Sequence, residues 1–164
     1  MAAKSSQLQI RVTALEKEAI RARANAAGME LSRYVLARAL PDPVRAFVSA
    51  LRAIENSSTR RFGLAALNDV LASLDAERFA DVVSLAPGVA SFLPLDANLV
   101  AAMVEFRAHQ LGVAPPAWAR WIAPLDTPWF AGGLVSLRAH LIAVSPVAFR
   151  RRNLFVDSTV GDRV

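Results

Sequence analysis

The sequence predicts a mainly α protein in two parts: one strand and two helices that intertwine with a second copy, followed by an all-helical domain. Three observations predict it. Residues 7–12 alternate polar and apolar side chains with a period of two, the signature of a half-buried strand. Directly after them, Thr13-Ala14-Leu15-Glu16 has the spacing of a helix capping box. From Val44 onward the pattern is helical almost throughout, punctuated by proline, glycine, asparagine and aspartate.

In the strand, Leu8, Ile10 and Val12 share one face and Gln7, Gln9 and Arg11 the other. The Thr13 hydroxyl is expected to accept an early helix amide while Glu16 reaches back to the Thr13 amide. That first helix should end at Gly28, which tolerates the left-handed conformation. A second helix is expected from about Leu31 to Leu40, stopped by Pro41 and Pro43. Ile20, Ala24 and Ala27 on the first helix, and Leu31, Val35 and Ala39 on the second, recur at spacings that should turn them inward. The Pro41-Asp42-Pro43 segment marks the expected boundary between residues 1–41 and a domain of residues 44–164.

A single strand leaves its amides and carbonyls without a ladder, and the rest of the chain offers only one other extended candidate, residues 154–156. The expected partner of residues 7–12 is therefore the same segment of a second chain, so that a homodimer completes the fold. Both copies of Gln7, Gln9 and Arg11 would then share one exposed face. A two-stranded ribbon fits the major groove, where Arg can grip guanine O6 and N7 and Gln can grip adenine N6 and N7. The alternative is an ordinary strand with a solvated outer face.

Charge placement agrees with a polyanionic partner. The net charge is +5, and residues 1–40 carry seven basic against three acidic side chains, whereas residues 41–99 carry five against seven.

Residues 7–40, QLQIRVTALEKEAIRARANAAGMELSRYVLARAL, resemble the ribbon-helix-helix family of the Arc, CopG and MetJ repressors: alternating strand, capped helix, glycine, then S-x-Y in a second helix. The resemblance implies sequence-specific binding to a double-stranded DNA operator through Gln7, Gln9 and Arg11, with phosphate anchoring near Leu31 and Ser32. One position departs from the pattern. Glu30 stands where the family often has Ser or Thr, and a carboxylate that caps the helix repels a phosphate there, which shifts the expected contact to Ser32 and Arg33.

Beyond the boundary, helices are expected near 44–55, 62–73, 76–85 and 96–111, with Asp75 as an N-cap and Gly112 as a stop. Shorter helices are expected near 116–122, 134–143 and 146–151.

Several function classes find no support. The chain has no cysteine, which excludes a disulfide framework and cysteine-ligated metal sites. His109 and His140 have no closely spaced carboxylate pair, so neither a metal nor another cofactor is implied. Gly132-Gly133 lacks the spacing of a phosphate loop, and no G-x-S-x-G elbow is present. A protein that is not an enzyme is expected. The longest uncharged run, Val82 to Leu95, is interrupted by Pro87, Gly88 and Pro94, whereas a spanning helix needs roughly 20 apolar residues. No membrane partner is expected, and no apolar stretch of signal-peptide length precedes Arg11, so a cytoplasmic location is expected.

What stands out late in the chain is a concentration of aromatic and basic residues: Trp118, Trp121, Trp129 and Phe130, then Phe149 followed by Arg150, Arg151 and Arg152. The tryptophans suit either a core or a partner surface. The arginine run suits a solvated turn, a second nucleic-acid contact or docking to an acidic surface. The segment WFAGGLVSLRAHLIAVSPVAFRRRNLFV resembles the carboxy-terminal region of proteins encoded beside AbiEii-type nucleotidyltransferase toxins, through its aromatic pair, its S-L-R-A helix and its S-P-x-A-F-R-R-R turn. That resemblance, over roughly residues 118–156, implies a type II antitoxin that binds a cognate protein toxin through Trp129, Phe130, Phe149 and Arg150 to Arg152 and represses its own operon. The alternative is a ribbon-helix-helix regulator or plasmid-maintenance protein whose helical domain oligomerises or senses a ligand.

Overall fold

The computed structural model describes residues 9–39, 42–84, 88–132 and 134–157. The chain is mainly helical and divides into two compact units, Met1–Arg45 and Ala46–Val164.

The first unit holds helix α1 (Ala14–Ala26) and helix α2 (Leu31–Ala39), which pack on each other. Thr13 caps α1 as its spacing predicts. The helix ends in a Schellman motif: Gly28 takes φ +62°, its amide donates to the Asn25 carbonyl (3.0 Å), and the Met29 amide donates to the Ala24 carbonyl (2.9 Å). Ala24 and Tyr34 are buried, Ile20, Leu31 and Val35 are half-buried, and Ala27 and Ala39 are exposed.

Helix α3 runs Asp42–Glu55, and the division between units falls inside it. Asp42 and Pro43 are thus helical rather than linker. Proline in a first turn lacks only an amide that has no intrahelical acceptor, so it starts a helix as readily as it stops one.

The second unit continues through α4 (Arg60–Ser73) and α5 (Ala76–Val83), the latter capped by Asp75, whose carboxylate accepts from the Arg78 amide at 2.8 Å. A 3₁₀ turn at Val89–Ser91 leads into α6 (Pro94–Leu111), then α7 (Ala117–Trp121). Gly112 closes α6 at φ +67°. Asp96 to Ala102 are all buried, so α6 is enclosed on nearly every side and has α4, α5, α7 and α9 (Val147–Arg150) packed on it. α8 (Arg138–Val144) follows a second 3₁₀ turn at Val135–Leu137. Gly63 brings α4 against α3: a Cβ there would lie 2.6 Å from the Ile54 nitrogen.

The expectation of an all-helical second domain is corrected by a short parallel ladder. Strand β1 (Trp129–Phe130) pairs with β2 (Leu154–Phe155) in the register Trp129 to Leu154 and Phe130 to Phe155. Asn153, left-handed at φ +56°, makes the turn from α9 into β2, and its side-chain amide donates to the Leu125 carbonyl at 2.6 Å. The Trp129 amide donates to the Asn153 carbonyl and the Ala131 amide to that of Phe155, both at 2.8 Å.

The ladder sits beside the most heavily bonded polar group of the unit. Arg152 is buried, and its guanidinium grips Glu105 with both ends, Nε to Oε2 at 3.1 Å and one terminal nitrogen to Oε1 at 2.7 Å. The remaining donors reach Asn98 Oδ1, the Ile122 carbonyl (both 3.2 Å) and the Ala119 carbonyl (2.6 Å). All five N–H donors are used. A second ion pair, Arg60 to Asp96, ties α4 to the first turn of α6.

Removing one member of a buried ion pair strands the other charge, which costs about 3–5 kcal/mol. Arg152→Met should lower the urea-unfolding free energy by that order, and adding Glu105→Leu should recover most of the loss. A loss below about 1 kcal/mol, the scale of a surface ion pair, would show that the network does not carry the fold.

Candidate nucleic-acid interface

Of the residues expected to read base edges, Gln9 and Arg11 are exposed, and Gln7 lies outside the described residues. Residues 9–13 carry no assigned helix or strand, so the expected ribbon is not seen in the single chain. The apolar side chains among and after them are exposed as well, Ile10 61%, Val12 43% and Leu15 84%, so residues 9–13 show no alternation of burial in the single chain. Three large apolar groups at the start of α1 are thus uncovered in one copy of the chain.

The cap at Thr13 holds this segment to α1. The Thr13 amide donates to Glu16 Oε2 (2.8 Å), the Thr13 hydroxyl donates to the same oxygen (2.9 Å), and the Glu16 amide approaches the hydroxyl oxygen (3.3 Å). These bonds stabilise the charged carboxylate, the Thr13 amide first and its hydroxyl second, and they hold the Glu16 pKa below its ordinary value of 4.5.

At the start of α2, Glu30 does what its position predicts. Its two carboxylate oxygens accept from the Ser32 amide (3.0 Å) and the Arg33 amide (3.2 Å). Two of the amides that the helix terminus offers to an anion are therefore occupied by the chain's own carboxylate. Ser32 and Arg33 keep exposed side chains. Arg38 lies over the Tyr34 ring, 5.5 Å from its centroid, on the same helix.

The candidate partner residues of the second unit separate into two sets. Arg150 and Arg151 are exposed, while Trp129 and Phe130 are half-buried in β1. Phe130 stacks on Phe155 at 4.8 Å between centroids, and the Arg138 guanidinium lies over the Phe130 ring, 5.0 Å from its centroid. Phe149 and Arg152 are internal, 1% and 4% exposed, Phe149 meeting Phe106 edge-on at 6.1 Å. The reading of Arg150 to Arg152 as one surface run is corrected at Arg152, because its donors are spent on Glu105, Asn98 and two carbonyls. The tryptophans divide as well: Trp118 is half-buried and donates its indole N–H to the Val83 carbonyl (2.7 Å), whereas Trp121 is 82% exposed.

Sequence reasoning did not single out Asn98, Glu105, Asp96 or Arg60. Buried polar residues on an otherwise apolar helix, such as Asp96 and Asn98 on α6, are the signal that could have found them. His140 approaches Asp157 at 3.7 Å, and among the described residues no three His, Asp or Glu side chains group as metal ligands. No helix among the described residues is long and apolar enough to cross a membrane.

Residues 2–62, a little over a third of the chain, match the family model NikA-like, described as Mobilization protein NikA. The matched stretch takes in α1, α2, α3 and the first residues of α4, and it supports a ribbon-helix-helix DNA-binding protein. No curated protein and no solved structure matches the chain.

The capping box also sets a pH dependence. A depressed folded-state pKa contributes stability that is present above the ordinary value of 4.5 and lost as pH falls through the folded value. Carboxyl NMR should place the Glu16 midpoint below 4.5, and Thr13→Ala should raise it towards that value. A Glu16 midpoint unmoved by Thr13→Ala would assign the shift to something other than the cap.

Proposed function

We propose that the chain is a non-enzymatic, sequence-specific DNA-binding protein, a regulator or mobilization protein that binds duplex DNA as a homodimer through residues 7–12. The observation that carries this reading is the match of residues 2–62 to the mobilization family model, over the same stretch that holds the strand pattern, the Thr13 cap and the Gly28 turn.

Two structural facts support the dimer. Ile10, Val12 and Leu15 lack cover in one chain, and the other extended candidate, residues 154–155, is already paired with residues 129–130. A second copy of residues 7–12 supplies both a ladder and a cover. Gln7, Gln9 and Arg11 then face the major groove, and Arg33 is an exposed cation suited to a phosphate.

A second reading, antitoxin and autorepressor, is favoured by one observation. Leu134, Val135, Leu137 and Ile142, inside the segment that resembles antitoxins, are between 46% and 68% exposed. On that reading the second unit neutralises a protein encoded by the adjacent gene.

The direct test uses a duplex selected from a random pool by the full-length protein. Arg11→Ala should weaken binding to that duplex by about 1–3 kcal/mol per lost bidentate contact, with a much smaller effect on unrelated DNA. Equal losses on both would make Arg11 a phosphate contact and remove base readout from its role. Leu137→Asp with Ile142→Asp separates the two readings: the antitoxin reading requires loss of co-purification with the adjacent gene product while DNA binding is retained. Where the wild-type chain captures no such product, that reading fails.

A further inference from the structure

We propose that the second unit contains a binding site for a neutral, largely apolar small molecule with a flat ring system. It is an open cleft of about 470 Å³ between the 3₁₀ turn at Val89–Ser91, the start of α6, and α7 with the residues that follow it. Its walls include Val89, Phe92, Ala97, Trp118, Trp121 and Ile122, and among the described residues no charged side chain lines it. The volume falls in the ordinary range for small-molecule sites, roughly 300–1,000 Å³.

The chemistry of the walls selects the ligand. Among the described residues, Asn98 is the one polar side chain of the lining apart from the indoles, and both ends of its amide are already engaged. Its nitrogen donates to the Pro94 and Ala123 carbonyls (2.9 and 3.0 Å), and its oxygen accepts from Arg152. The Trp118 N–H is likewise committed to Val83. A charged ligand would lose hydration and meet no counter-charge, whereas an apolar ring replaces water against Phe92 and two indoles. Trp121, 82% exposed, leaves a broad aromatic face uncovered at this site.

One wall of the cleft is also anchored by hydrogen bonds. The Ile122 carbonyl accepts from Arg152 and the Ala123 carbonyl from Asn98, so the segment after α7 is tied to α6 behind the cavity. A wall anchored in this way loses little further freedom when a ligand settles against it, which limits the ordering cost of binding on that side. The site lies within the second unit and does not rest on the DNA-binding reading.

The test uses the full-length protein and the neutral fluorophore N-phenyl-1-naphthylamine, with 8-anilino-1-naphthalenesulfonate as its anionic counterpart. Expected are one neutral molecule per chain, energy transfer from tryptophan, and at least about tenfold weaker binding of the sulfonate, a difference of about 1.4 kcal/mol. Ala90→Trp and Ala123→Trp, at exposed positions of the lining, should abolish binding at an unchanged melting temperature. Several molecules per chain, equal affinity for the sulfonate, or undiminished binding in the filled variants would overturn the proposal. Should a filled variant not fold, Trp121→Ala decides: weaker binding supports the site, and unchanged affinity overturns it.

Discussion

The guanidinium of Arg152 is the constraint on which the second unit is built. A planar group with five donors in a fixed fork is satisfied only when every acceptor lies in its plane at the right distance. Here the acceptors come from α6 (Asn98 and Glu105), α7 (Ala119) and the segment after it (Ile122). Meeting all of them fixes where α7 lies along α6 and where α9 ends. The neighbouring Asn153 turn then delivers Leu154 and Phe155 alongside Trp129 and Phe130, so the two-residue ladder is a consequence of the ion pair's position. An extended pair this short has little stability of its own.

Burial on α6 explains why the polar group is needed at that place. A helix enclosed on nearly all sides has no solvated face, so Asn98 and Asp96 must find partners inside the protein. Asp96 finds Arg60, and Asn98 finds Arg152 together with two carbonyls. The apolar packing of Leu99, Ala102, Phe149, Leu154 and Val156 surrounds these contacts and lowers the local dielectric, which strengthens each bond and raises the cost of losing one.

What was legible in the sequence is what is decided locally. Thr13 with Glu16, Asp75 and Gly112 set helix ends through bonds spanning three to five residues, and their positions are where the pattern puts them. Gly28 is legible for the same reason. The Arg152 network is not local: its partners lie 30 to 54 residues away, and an arginine in a run of three reads as solvated unless its acceptors are known. β1 was missed because Trp129-Phe130 is too short for a period to show, and its pairing follows from the Asn153 turn. Near Pro43 the helix expected from about residue 44 begins two residues earlier, at Asp42, since proline is compatible with a first helical turn. In the candidate interface, the pattern places Gln9 and Arg11 on one face, but Ile10 and Val12 are exposed as they are, because a division into two faces needs the second strand that a single chain does not supply.

Glu30 bears on how such a dimer would hold DNA. A helix terminus attracts phosphate through free amides and the positive end of its dipole, and both are met here by a carboxylate of the same chain. A phosphate approaching Ser32 and Arg33 would have to displace that carboxylate or bind beside a negative charge. On the DNA-binding reading, backbone anchoring at α2 is therefore weak, and attraction to the duplex falls to side-chain cations of the first unit such as Arg11 and Arg33. Side-chain cations give affinity that falls steeply with salt, and of these two only Arg11 belongs to the segment proposed to read bases. On that reading, a carboxylate rather than a hydroxyl at one helix start would shift the balance of recognition away from the fixed backbone and towards residues 7–12.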